Sequence, residues 1–232
     1  MAEASTIETS QQGIVVVLDA LATKGILARQ PLPTVFENWH LVQEPINRQV
    51  AILESLDVCQ LCRAIWLSDT VIITLFPNES SDIWTCVSLI AEMLQSAMWQ
   101  SMELGIFFRG AMSVGELHVQ DTKVIGSAIE EASAWYEHDD WIGVRVTPSL
   151  ELLLEVLPDK RTEYYVRCDI PSNKGGLRRQ SLTLNWPHHA QTASDDPRTA
   201  LITAFRRFSG PIAPGLESKY WNTLSFFDSI IR

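Results

Sequence analysis

The run Gly13-Ile-Val-Val-Val-Leu-Asp19 constrains this chain more than any other stretch. Residues Ile14 to Leu18 are apolar on both faces and β-rich, as expected of a strand buried in the middle of a sheet. The run stops on Asp19, and open α/β sheets place their ligands beyond the carboxyl ends of their strands. Thr23, Lys24 and Gly25 follow in a short loop, where backbone amides, a hydroxyl and an ammonium are groups that hold phosphate oxygens. A lone aspartate after a strand is more often a helix N-cap than a ligand. A functional reading of Asp19 therefore rests on a second aspartate in a matching setting.

The remainder of the chain supplies one. After Pro31 and Pro33, residues 34–60 read as a helical region, with Val35, Trp39, Val42, Ile46, Val50, Leu53 and Leu56 three or four apart. Two apolar, β-rich runs then flank Ser68-Asp69 within 61–76, which predicts a hairpin with Asp69 at its turn. Asn78 to Ser81 offer N-cap chemistry for a second long helix that ends near Leu104-Gly105. Residues 105–116 return to strand character, with a pivot at Gly115-Glu116 into a short return strand, 117–120. Val124-Ile-Gly126 opens a third helix with Ala128, Ile129, Ala132, Trp135 and Tyr136 on one side. A strand at 142–146 leads to Thr147-Pro148 and another helix. Strands at 164–168 and 182–186, a turn at 173–176, a polar loop at 188–197 and two amphipathic helices complete the chain. The expected organisation is a loose N-terminus (1–12), a core (13–157) and a C-terminal extension packed on it (158–232). The fold class is an α/β sandwich with a mixed central sheet and helices mainly on one face.

Composition limits the partners. The 232 residues carry a net charge of −10, which argues against a broad basic face for duplex nucleic acid or an anionic membrane, though not against a nucleotide. No apolar run reaches the length of a membrane span and the N-terminus lacks the features of a signal peptide, so a cytoplasmic protein is expected. Cys59 and Cys62 form a C-x-x-C pair, but a zinc site needs two further ligands at a compatible spacing, and His188-His189 lies in a distant polar stretch. Reduced, largely buried thiols are expected at Cys59, Cys62, Cys86 and Cys168.

If the first strand pairs beside the hairpin, Asp19 and Asp69 converge at one end of the sheet. Two ionised carboxylates that close repel, and a divalent cation between them relieves the repulsion. Mg²⁺ or Mn²⁺ prefers such hard oxygen ligands together with substrate phosphates. That chemistry points to phosphoryl transfer.

The order of motifs resembles the class III nucleotidyl cyclases: a strand-end Asp, a hairpin with a second Asp, a basic strand and a Val-Ile-Gly helix start. Arg109-Gly-Ala-Met-Ser-Val-Gly-Glu116 and Val124-Ile-Gly-Ser-Ala-Ile129 look like the Arg-x-Gly-x-x-x-Gly-Glu and Val-x-Gly-x-Ala segments of that family. Leu67-Ser-Asp-Thr-Val-Ile-Ile73 and Lys219-Tyr-x-Asn-Thr-x-x-Phe-Phe227 most resemble the pyrimidine cyclases of the Pycsar anti-phage systems. The resemblance covers roughly 13–137 and the last helix. It implies conversion of a pyrimidine nucleoside triphosphate, UTP favoured over CTP, to a 3′,5′-cyclic nucleotide and pyrophosphate. It also implies two divalent metal ions (Mn²⁺ or Mg²⁺), a homodimer with sites between the subunits, and a separate effector that reads the product. By position, Asp19, Asp69 and the carbonyl of Ala20 would hold the metals, and Arg109 would serve catalysis. Ala22, Thr23 and Lys24 fall in the triphosphate loop, and Ile65 and Lys123 stand at the base-reading positions.

The chain also departs from the purine cyclases. Ile65 replaces a base-selecting Lys, Lys123 replaces its acidic or hydroxyl partner, and Glu130 and Ala134 replace an Asn and an Arg that stabilise the transition state. Two other readings follow: a catalytically silent cyclase-like domain that binds a nucleotide or partner, and a polymerase-type palm. A silent homologue, however, has no physical need of two repelling carboxylates.

Overall fold

The Ile14–Leu18 run does lie at the middle of a sheet. Its five residues are 2% exposed or less. They belong to β1 (Gln11–Leu21), which pairs antiparallel on one side with β3 (Thr70–Pro77) and on the other with β4 (Phe107–Gln120). The computed structural model describes residues 11–21, 30–155, 163–172, 178–209 and 216–231. The expected turn at 173–176 lies outside the described residues.

The other elements are α1 (Leu32–Ser55), β2 (Cys59–Leu67), α2 (Ile83–Glu103), β5 (Lys123–Ile125), α3 (Ser127–Tyr136), β6 (Gly143–Val146), α4 (Pro148–Glu155), β7 (Tyr165–Pro171), β8 (Arg178–Leu184), α5 (Trp186–Ala193), α6 (Pro197–Ser209) and α7 (Glu217–Ile230). The strand order is β2-β3-β1-β4-β6-β8-β7, with β5 pairing to the end of β4. β4 and β6 run parallel and the other pairs antiparallel, so the sheet is mixed as expected. Strands β7 and β8 join this same sheet through Arg145 opposite Thr183.

Alternation along β1 feeds two cores. Ile14, Val16 and Leu18 pack with α1, α2 and α5–α7 in the large cluster, whereas Val15 and Val17 face Ala128 and Ala132 of α3. The helices thus lie mainly on one face. α1 buries Val35, Val42, Ile46, Val50 and Leu53, the spacing that predicted it. α2 begins at Asp82, whose carboxylate caps the Trp84 amide, one residue beyond the expected capping stretch. It ends where Gly105 takes a φ of 80°.

Four expectations need correction. Strand β1 starts at Gln11, so the last two residues assigned to a loose N-terminus pair with β4. β4 does not pivot at Gly115-Glu116: Gly115 stays in the ladder opposite Gly13, and the chain reverses only at Asp121-Thr122. Val124 and Ile125 therefore belong to β5, and helix α3 opens after Gly126. That glycine has a φ of 144°, and a Cβ there would meet the Glu116 carbonyl oxygen at 2.1 Å. The expected polar loop at 188–197 is largely α5, set by Pro187 in its first turn and by burial of Trp186 and Ala190.

The Lys219-Tyr-x-Asn-Thr segment of α7 acts as a clasp. Lys219 Nζ donates to Asp140 Oδ1 at 2.7 Å, Asn222 donates to the Asp140 carbonyl at 2.7 Å, and Thr223 Oγ1 accepts from the Ile142 amide at 2.8 Å. The neighbouring Asp139 receives two 2.8 Å bonds from Arg145, both side chains being buried. Burial pushes the Asp139 carboxyl up, while the hydrogen bond and charge of Arg145 pull it back. Residues 139–142, which follow α3 after two intervening residues, are thereby fixed on both sides. Tyr220, Leu224, Phe226 and Phe227 are used up in this chain's own core.

Candidate active site

The end of β1 and the tip of the β2–β3 hairpin are bolted together. Asp19 lies opposite Thr70 of β3 and Arg109 of β4. The hairpin reverses through Ser68-Asp69, with Ser68 at a φ of 55°, and the Ala20 amide donates to the Asp69 carbonyl at 2.8 Å. Asp19 and Asp69 thus come together, as the sequence led one to expect. Asp19 sits in a half-buried setting that raises its carboxyl above the usual range, burial being the largest cause. The hydrogen bond and charge of Arg109 act against this rise, and the charges of Asp69 and Glu137 add to it.

Arg109 donates from Nε to Asp19 Oδ2 at 3.0 Å, with both side chains under a fifth exposed. Gly110, next to it, is where β4 presses on β1: a Cβ there would stand 2.4 Å from the Val17 carbonyl oxygen. On its open side the guanidinium meets the ring of Tyr136, 5.4 Å from Cζ to the ring centre. Burial raises the Tyr136 hydroxyl, and Asp19, Glu137 and Asp69 raise it further, with Arg109 opposing. The end of α3 therefore brings Tyr136 and Glu137 to the two aspartates. Sequence reading had placed Tyr136 only on an apolar helix face and had not singled out Glu137. The one signal available was an ionisable pair at the end of a short amphipathic helix.

The remaining expected residues are more dispersed. Ala22, Thr23 and Lys24 lie outside the described residues. Ile65 is buried on the α3 face of β2, in the cluster that also holds Val17, Leu61 and Phe76. It lines a groove of about 580 Å³ that is shared with Asn47, Trp66, Asp121 and Thr122. Lys123 follows that turn, exposed at the start of β5 and opposite Gln120. Glu130 and Ala134 are both exposed on α3, facing away from the sheet that carries Asp19.

A divalent cation fits this arrangement. Asp19 and Asp69 supply hard oxygen donors at mutually repelling positions, and Ala20 brings a backbone carbonyl beside them. Among the described residues no group of three His, Cys, Asp or Glu side chains is placed to hold a metal. A Mg²⁺ or Mn²⁺ ion can be held by one or two carboxylates, with water and substrate phosphate completing its shell. Cys59, Cys62 and Cys86 are free and buried, and Cys168 is free and half-buried. Burial pushes the thiols of Cys59, Cys86 and Cys168 to about 11 and that of Cys62 higher still, so they are inert.

No family model matches the sequence, and no curated protein matches it. Solved structures do match. The adenylyl cyclase CyaB from P. aeruginosa superposes with a TM-score of 0.55 at 10% identity, over 76% of this chain and 94% of that one. A bacterial light-regulated adenylyl cyclase gives 0.52 at 10% identity, over 86% and 99%. The adenylate/guanylate cyclase/hydrolase from Silicibacter pomeroyi gives 0.51 at 14% identity, over 75% and 96%. The chain has the nucleotide cyclase fold. Within this cyclase fold the Asp19–Asp69 pair stands at the carboxyl end of the central strand, with Arg109 and Tyr136 against it. Among the described residues no helix is long and apolar enough to cross a membrane.

Proposed function

We propose that the protein is a nucleotidyl cyclase that converts a pyrimidine nucleoside triphosphate, UTP before CTP, to the 3′,5′-cyclic nucleotide and pyrophosphate. The observation that carries this reading is the convergence of Asp19 and Asp69 at the carboxyl end of β1 in a cyclase fold, fixed by the Ala20–Asp69 hydrogen bond. Asp19, Asp69 and the Ala20 carbonyl would hold two divalent ions, Mn²⁺ or Mg²⁺, which supply activation of the ribose 3′-hydroxyl and neutralisation of the leaving pyrophosphate. Arg109 orients Asp19 through Nε, and its terminal nitrogens take no part in that bond. Most of the rate enhancement then comes from positioning and charge complementarity. Glu130 and Ala134 are exposed on α3, a position from which they would reach a second copy and not this chain's own core. That supports a homodimer with two sites between the subunits. The resemblance to the anti-phage pyrimidine cyclases makes the product a second messenger for a separate effector protein.

Base choice follows from the groove beside Ile65. An isoleucine offers no hydrogen bond there, and the exposed Lys123, which follows the groove residues Asp121 and Thr122 in the chain, offers only donors. Donors suit O2 of either pyrimidine and O4 of uracil, whereas the 4-amino group of cytosine opposes them. Mass spectrometry of products from the four triphosphates with Mn²⁺ tests this. The expected outcome is cyclic UMP in excess over cyclic CMP, with that ratio narrowed or inverted in Lys123→Glu. A preference for ATP or GTP overturns the pyrimidine assignment, and an unchanged ratio in the variant removes Lys123 from base reading.

A second reading has its own support. Glu130 and Ala134 stand where an Asn and an Arg stabilise the transition state in purine cyclases, which favours a silent domain that binds the nucleotide without turning it over. Calorimetric binding of UTP with Mn²⁺ and no release of pyrophosphate is the signature of that case.

A further inference from the structure

Arg109 is held from two sides, and the second side has no assigned role. The Nε bond to Asp19 at 3.0 Å fixes one point of the guanidinium but not the tilt of its plane. The Tyr136 ring, 5.4 Å from Cζ, supplies a face against which that plane rests. The ring is itself anchored. The Asp139 amide donates to the Tyr136 carbonyl, Asp139 is locked to Arg145 by two 2.8 Å bonds, and Arg145 Cζ lies 4.9 Å from the ring centre of Trp135. The end of α3 is thus tied to β6 through Trp135 and to β4 through Tyr136.

We infer that Tyr136 is a positioning residue of this site: its ring sets the plane of the Arg109 guanidinium so that Nε stays on Asp19 while the terminal nitrogens face the triphosphate of the substrate. The clamp stands on the contacts above, and only its triphosphate partner rests on the proposed cyclase activity. The ring face does the work and the hydroxyl does not, so phenylalanine should replace it and an aliphatic side chain should not.

The test compares the wild type, Tyr136→Phe and Tyr136→Leu by two readouts that need no turnover. The first is the Arg109 Nε–Hε resonance of the metal-free protein, assigned by its disappearance in Arg109→Lys. It should be sharp and slow to exchange in the wild type and Tyr136→Phe, and broadened or lost in Tyr136→Leu. The second is calorimetric binding of inorganic tripolyphosphate with Mg²⁺, which should weaken about tenfold in Tyr136→Leu and stay within about threefold in Tyr136→Phe. A tenfold loss corresponds to about 1.4 kcal/mol, within the range of one partly desolvated cation–π contact. A sharp Arg109 resonance in Tyr136→Leu, its loss in Tyr136→Phe, or unchanged tripolyphosphate binding in Tyr136→Leu overturns the inference. A purely structural role would lower the melting temperature of Tyr136→Leu and leave both readouts as in the wild type, and it too overturns the inference. If both readouts behave as expected and no triphosphate is cyclised, the cyclase reading falls while the clamp stands.

Discussion

Asp19 carries its charge where burial penalises it, and Arg109 does not fully offset that penalty. A carboxyl whose folded pKa lies above the unfolded value costs stability once pH exceeds the folded value, and costs nothing below the unfolded value of about 4. Asp19→Asn should therefore raise the melting temperature of the metal-free protein at pH 7, by a margin that shrinks as pH falls toward 4. Thermal scans across that range check it, and a lower melting temperature at pH 7 would show that the Arg109 pair outweighs burial. Two of the site's acidic groups were legible at this scale because a carboxylate ending an apolar strand and a carboxylate in a hairpin tip are both local signals. Tyr136 and Glu137 were not legible: helical periodicity put Tyr136 on a core-facing stripe, and only the tertiary fold brings the end of that stripe back to β1.

The Asp139–Arg145 pair and the α7 clasp decide how the end of α3 is held. Removing one partner of a buried, doubly hydrogen-bonded pair strands the other, so Asp139→Ala should cost about 3–5 kcal/mol in chemical denaturation. A loss under 1 kcal/mol would mean that the loop is held without it. Elements with strong local signatures were read correctly: the apolar β1, the hairpin closed by Ser68-Asp69, and helices α1 and α2 with their regular spacing, except that α1 stops at Ser55 and residues 59–60, expected as helix, begin β2. Those that depend on tertiary contacts were not. Gly115 looks like a pivot, yet its missing side chain makes room for Ser127, whose Oγ would lie 2.7 Å from a Cβ there. α5 reads as a polar loop because Trp186, Pro187 and Ala190 alone are buried, and packing against α2 is what makes it a helix.

For the whole molecule, a site shared between subunits, as proposed, requires a two-fold dimer. Tyr220, Leu224, Phe226 and Phe227 of the C-terminal helix are buried inside the chain, so they do not supply such an interface. Sedimentation at assay concentration should show a two-fold dimer carrying the activity, and an active monomer contradicts a shared site. The most direct test of the central claim sets the wild type beside Asp19→Asn and Asp69→Asn, each incubated with UTP and Mn²⁺, with products resolved by mass spectrometry and folding checked by circular dichroism. The account predicts cyclic UMP and pyrophosphate from the wild type and neither from two well-folded variants. Cyclic product from either variant at the wild-type rate, or a linear product from the wild type, contradicts it.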